Sequence, residues 1–161
     1  MPPTTGGYTT AELEAQEAEL VLPRFAVAEA VALGLLATER AIAQDLAVVI
    51  EVTHLGRLAY RAALPGSLPD SDDWIARKRR TVERFQHSTL ATRVRYEELG
   101  TTFNEATGLA EADYAAHGGG LPISVAGVGV VGGCYVSGLP QVEDHQFVVA
   151  CVRELKAGLV A

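Results

Sequence analysis

The sequence predicts an α+β domain, an antiparallel sheet built of hairpins with helices on both faces. Three observations predict it. The strand-like runs come in adjacent pairs joined by short turns rather than alternating with helices. The helical runs stand outside those pairs, at the start, in the middle and at the end. The chain has 161 residues, nearly half of them hydrophobic and a fifth charged, which suits one domain with a sizeable core.

Residues 1–10 (MPPTTGGYTT) are rich in Pro, Thr and Gly and are expected to form a disordered tail, leaving 11–161 as a single domain. Thr10 has the chemistry of an N-cap, and Glu12 and Glu14 favour the positive end of a helix running to about Val21. Pro23 interrupts it. From Arg24 to Gln44 the pattern predicts a long amphipathic helix, with Ala28, Val31, Leu35 and Ile42 as its buried stripe and Thr38 on the same line. Ala47–Thr53 (AVVIEVT) is β-branched and reads as a buried strand. His54-Leu55-Gly56 turns the chain into a second strand, Arg57–Ala63, which Pro65, Gly66 and Pro69 end.

Acids at Asp70, Asp72 and Asp73 start the next helix. Trp74, Ile75, Lys78, Val82 and Phe85 fall on one side of it, and Arg77, Arg80 and Arg84 on another. The arginines read as a solvated face or a subunit contact. A further helix covers Ser88–Leu99 and stops at Gly100. The segment 101–120 is less regular, with a turn of helix expected around Glu111–Ala116. Leu121–Val125 and Gly129–Ser137 form the second hairpin, with Pro122 suited to an edge strand. Gln141–Gly158 is the terminal helix, its acids early and its cations late, as the helix dipole prefers.

The net charge of −7 argues against nucleic acid or an anionic membrane as partner. Nothing at the start resembles a signal peptide, and no apolar run reaches a membrane span, so a cytoplasmic protein is expected. Cys134 and Cys151 lie among apolar neighbours and read as buried free thiols of a reducing compartment. No nucleophile elbow and no set of metal-ligand spacing is present, so no catalytic residue is assigned.

Gly127, Gly129 and Gly132 have the spacing of a dinucleotide-binding turn. That motif needs a helix opening at the glycines, so that the pyrophosphate meets its N-terminus. The residues that follow, GCYVSGLP, are poor helix formers closed by a proline, which excludes it. Gly132 and Gly133 then sit inside a strand, where glycine marks a close approach. Two readings stand: tight packing by a helix, or a flat ligand lying on the sheet.

Three stretches carry a resemblance: LPDSDDWIARKRRTVERF (68–85), YAAHGGGLPISVAGVGVVGGCYVSGLP (114–140) and EDHQFVV (143–149). With the opening ELEAQEAEL they resemble the haem-degrading-domain family, and within it a branch of uncharacterised small proteins of about this length. Its relatives include a haem-binding sensor partner, a domain of a corrinoid adenosyltransferase and a protein encoded with glycolate oxidation genes. The resemblance implies a profilin-like α+β fold, assembly into dimers or larger rings, and binding or breakdown of haem. It departs from a haem site in two respects: the long early helix holds no histidine, and none of the four histidines lies in a C-x-x-C-H attachment motif.

The expected ligand-binding residues are Asp72, Asp73, Trp74, Lys78, His117, Gly118, Gly119, Gly132 and Gly133, with His117 the metal ligand. Trp74 and Lys78 are four apart on one helix face, so together they can wall a pocket, with Lys78 meeting a carboxylate such as a haem propionate. His117 precedes three glycines and offers an imidazole to iron. The other histidines have plainer readings: His54 at a hairpin tip, His87 at a helix end, His145 at the surface of the last helix, with Asp144 answering the helix dipole. Small-molecule binding, with haem as the possible cofactor, leads this reading. The rival is a ring-forming scaffold or adaptor without a catalytic site.

Overall fold

The computed structural model describes residues 4–161. The chain runs α1 (Thr10–Glu19), α2 (Val27–Ala43), β1 (Val49–His54), β2 (Arg57–Ala63), α3 (Pro69–Phe85), α4 (Thr89–Glu98), α5 (Phe103–Thr107), β3 (Gly120–Val125), β4 (Gly129–Ser137) and α6 (Gln141–Val160). The four strands form one antiparallel sheet in the order β2-β1-β4-β3. Helices cover both faces, so the expected fold class is the observed one.

Strand alternation divides the core. Ile50, Val52, Cys134 and Val136 point to α2 and α6 and build the main cluster with Leu33, Ala37, Val148 and Val152. Val49 and Tyr135 point the other way and meet Ile75 and Val82 of α3. Both cysteines are free and buried, and burial pushes the Cys151 thiol up to about 12. Pro122 lies in β3, an edge strand, where it costs no ladder bond. The end of β3 is shielded by Leu22, whose N–H donates to Ser124 O at 2.8 Å.

Four expectations need correction. The buried stripe of α2 is Ala30, Leu33, Gly34, Ala37 and Ala41; Leu35 and Ile42 face outward at 51% and 63% exposure. The reason is close approach: a Cβ on Gly34 would lie 2.1 Å from the Tyr60 ring of β2, so the inner face is mostly small residues, with Leu33 the one large side chain in it. The tail is ordered from Thr4 on: Thr5 is buried and Tyr8 packs edge-on to His145 at 5.9 Å, while residues 1–3 lie outside the described residues. Thr9, not Thr10, caps α1, in a reciprocal capping box with Glu12. The helical turn in the 101–120 segment is α5, capped by Thr102 and ended by Gly108 at φ 71°, and no helix forms at 111–116.

The arginines of α3 hold that segment in place. Arg80 donates to Asp113 O, and Arg84 stacks over Tyr114. They bind this chain's own loop, which carries His117 to the side of α3.

Candidate functional site

A cleft of about 360 Å³ opens between α3, the loop before β3 and the start of α6. Its walls are Trp74 and His117, with Asp70 and Ser71 at the rim and Lys78, Ser137, Gln141 and Asp144 deeper in.

Lys78 is the centre of the construction. It is 2% exposed, and its Nζ donates to Val136 O at 3.0 Å and to Asp144 Oδ2 at 3.1 Å. Asp144 is equally buried, and its Oδ1 accepts from the Leu139 N–H at 3.1 Å. One carboxylate therefore binds α3 to the turn Gly138-Leu139-Pro140 and to the first turn of α6. Burial raises the Asp144 pKa to about 6, against the pull of Lys78. Burial lowers that of Lys78, against the pull of Asp144.

The three glycines after His117 exist to fit this centre. Gly119 has φ 122°, and a Cβ there would meet Val136 O at 2.5 Å and Lys78 Nζ at 2.8 Å. A Cβ on Gly118 would lie 2.2 Å from Gln141 O, and one on Gly120 2.9 Å from Val82 and Thr89. Gly118 and Gly119 thus form the back of the cleft rather than its lining.

His117 is half-buried, its ring edge-on to Trp74 with centroids 4.8 Å apart. Its Nε2 lies 3.6 Å from Glu111 Oε1, too far for a good hydrogen bond. Burial first, then the charge of Arg93, lowers its pKa against the pull of Glu111, which favours the neutral ring. The Arg77 guanidinium lies over the Trp74 ring, 4.1 Å from its centroid.

The structure brings Trp74, Lys78 and His117 together, with Gly118 and Gly119 behind them, and leaves Asp72, Asp73, Gly132 and Gly133 elsewhere. Asp73 pairs with Arg77 and Asp72 with Arg61 of β2, and neither lines the cleft. The acid that does is Asp70, which accepts the Trp74 indole N–H at 3.1 Å. Gly132 and Gly133 lie in β4 between both its neighbours. A Cβ on Gly132 would fall 2.2 Å from Thr53 O, and one on Gly133 2.1 Å from the Tyr135 hydroxyl. The space over Gly133 is filled by the protein's own ring.

Two further assignments are corrected. Asp144 is half of a buried ion pair, not only a helix-dipole acid. His145 is fully buried, with Nε2 on Gln16 Oε1 at 2.7 Å. The signal for the first was present in the pairing rule: a buried lysine needs an acid, and Glu143-Asp144 stand at a helix start. Ser137 and Gln141 gave no such signal. Among the described residues no group of three His, Cys, Asp or Glu side chains is placed to hold a metal ion.

The family model described as "Haem degrading protein HbpS-like" matches residues 25–153. The chain therefore belongs to the HbpS-like haem-degrading family. It is 52% identical over 145 residues to a UPF0303 protein of Streptomyces coelicolor, covering 90% of this chain and 92% of that one. The Ybr137w protein has a similar structure: TM-score 0.85, 27% identity, 92% of this chain and 88% of the other covered. A PduOC:heme complex shares the fold at TM-score 0.64 and 19% identity, over 79% of this chain and 94% of that one.

The residues at the mouth of the cleft fit a haem in the donor they offer. His117 offers an imidazole at the cleft wall beside Trp74, and its contact with Glu111 is long at 3.6 Å. No helix of the described residues is long and apolar enough to cross a membrane.

Proposed function

We propose that this chain binds haem or a related tetrapyrrole at the mouth of the cleft, against Trp74, with His117 as the donor to iron. The single observation that carries the reading is the His117 imidazole: half-buried beside Trp74, with no hydrogen-bond partner within 3.5 Å among the described residues. Family membership and the haem held by the PduO relative support it. Bound haem supplies redox-active iron. The chain's own part would be to present one nitrogen and to wall one side with an indole. The reading is one of binding, and no reaction is assigned.

Hemin titration followed in the Soret region tests it. The wild type is expected to give a saturable, red-shifted Soret band, and His117→Ala to lose or displace it. A wild type without a Soret change, or a variant with an identical spectrum, overturns the assignment.

A second reading rests on a different observation. The interior of the cleft is polar, and its volume lies at the low end for small-molecule sites. A compact polar ligand fits that interior better than a macrocycle does. We also propose that the chain self-associates through α2 in a reducing, cytoplasmic compartment; the exposed apolar residues of that helix and the two free thiols support this.

A further inference from the structure

The floor of the cleft holds a polar constellation that the iron donor does not use. Lys78 Nζ carries three N–H groups, and among the described residues only two have acceptors, Val136 O and Asp144 Oδ2. Ser137 is 6% exposed, and its hydroxyl, which makes no hydrogen bond among the described residues, is open to the cleft rather than sealed. Both line the same cleft. A fold has little reason to keep a buried ion pair for stability, because an apolar pair of similar volume serves as well or better. An ion pair with a spare donor at the bottom of a cavity, beside an unpartnered hydroxyl, is an arrangement for a ligand atom.

Charge decides which atom. Lys78 and Asp144 cancel, His117 is neutral, and Asp70 at the rim is an acid, so the cleft has no net positive charge to offer an anion. A carboxylate there would lie close to Asp144 and lose its hydration in exchange for one N–H. An uncharged sp² oxygen keeps the hydrogen bonds and avoids the repulsion. We infer that Lys78 and Ser137 form a subsite for an uncharged carbonyl oxygen, such as that of an amide or ketone, on a small polar ligand. This deepens the second reading above and is independent of the haem.

Trp74 is the chain's one tryptophan and walls the cleft, so its fluorescence reports occupancy. The probes are succinamide and succinate, which share a skeleton and differ in charge. Wild type is expected to respond saturably to succinamide and at least tenfold more weakly to succinate. Lys78→Met/Asp144→Asn removes the spare donor without stranding a charge, and Asn keeps an acceptor for the Leu139 N–H; circular dichroism checks its fold. It is expected to weaken succinamide at least tenfold, and Ser137→Ala severalfold. No saturable response, equal or tighter succinate binding, or an unchanged midpoint in the folded double variant overturns the inference. Failure of the haem reading looks different. His117→Ala keeps the succinamide response, and Lys78→Met/Asp144→Asn keeps the hemin Soret band if each site stands alone.

Discussion

Asp144 and His145 are neighbours in sequence and opposites in titration. Burial raises the Asp144 pKa to about 6 and lowers that of His145 to about 4. The signs follow from proton uptake. The folded state binds the Asp144 proton more tightly than the unfolded chain does, so that contribution is present at low pH and is lost as pH rises through 6. The folded state binds the His145 proton more weakly. Its contribution is present above the unfolded value of about 6.5 and is lost as pH falls toward 4. The wild-type profile mixes the two, so the useful readout is a difference. Between pH 7 and pH 4 the stability gap between wild type and His145→Gln is expected to move in favour of the variant by up to about 3 kcal/mol, measured by urea unfolding at both pH values. A gap that does not change would mean that His145 is charged inside the fold or open to water. At this scale the sequence was partly legible. Trp74 and Lys78 were found because helix geometry alone makes them neighbours. Asp144 was missed as Lys78's partner because 66 positions separate them, and only the sheet between brings them together.

Among the elements, the hairpins and most helices were legible because β-branched runs, caps and prolines act locally. The phase of α2 was not. Hydrophobicity pointed to Ala28, Val31, Leu35 and Ile42, whereas the sheet takes Leu33 and the small residues Ala30, Gly34, Ala37 and Ala41. Closeness rather than oiliness sets the inner face, because Tyr60 stands upright from β2 and its hydroxyl reaches Thr38 Oγ1 at 2.7 Å. The same cause explains Gly133, whose missing Cβ makes room for Tyr135. Gly34→Ala tests the idea. The added methyl would sit 2.1 Å from the Tyr60 ring, so helix or ring must move. A loss of about 1–3 kcal/mol is expected from overpacking, against the small gain alanine gives an unconstrained helix. In Gly34→Ala/Tyr60→Val the loss should be less than the sum of the single losses, because the obstacle is gone. Additive losses would place the strain elsewhere.

For the whole molecule, the feature left over is the outer face of α2. Val27, Leu35 and Ile42 are 43%, 51% and 63% exposed on one helix. The helix lies over β1 and β2, and β2 is the sheet edge that no other segment of the described residues pairs with. An apolar helix face beside an unpaired edge strand is a combination that monomers usually blunt with charge or cover. A second copy of the chain covers it by a twofold arrangement, since the same surface is then presented from both sides. Leu35→Glu/Ile42→Glu separates this from a merely greasy surface. Both side chains are more than half in water, so the fold should lose no more than about 0.5 kcal/mol for each substitution. Two buried charges facing two more across an interface should abolish association. Light scattering is expected to show the wild type as a dimer or larger and the double variant at the 17.0 kDa of one chain. A wild type already at that mass, or a variant that assembles as before, removes α2 from the interface. The hemin titration, repeated on the monomeric variant, then shows whether the cleft between α3 and α6 works in a single copy.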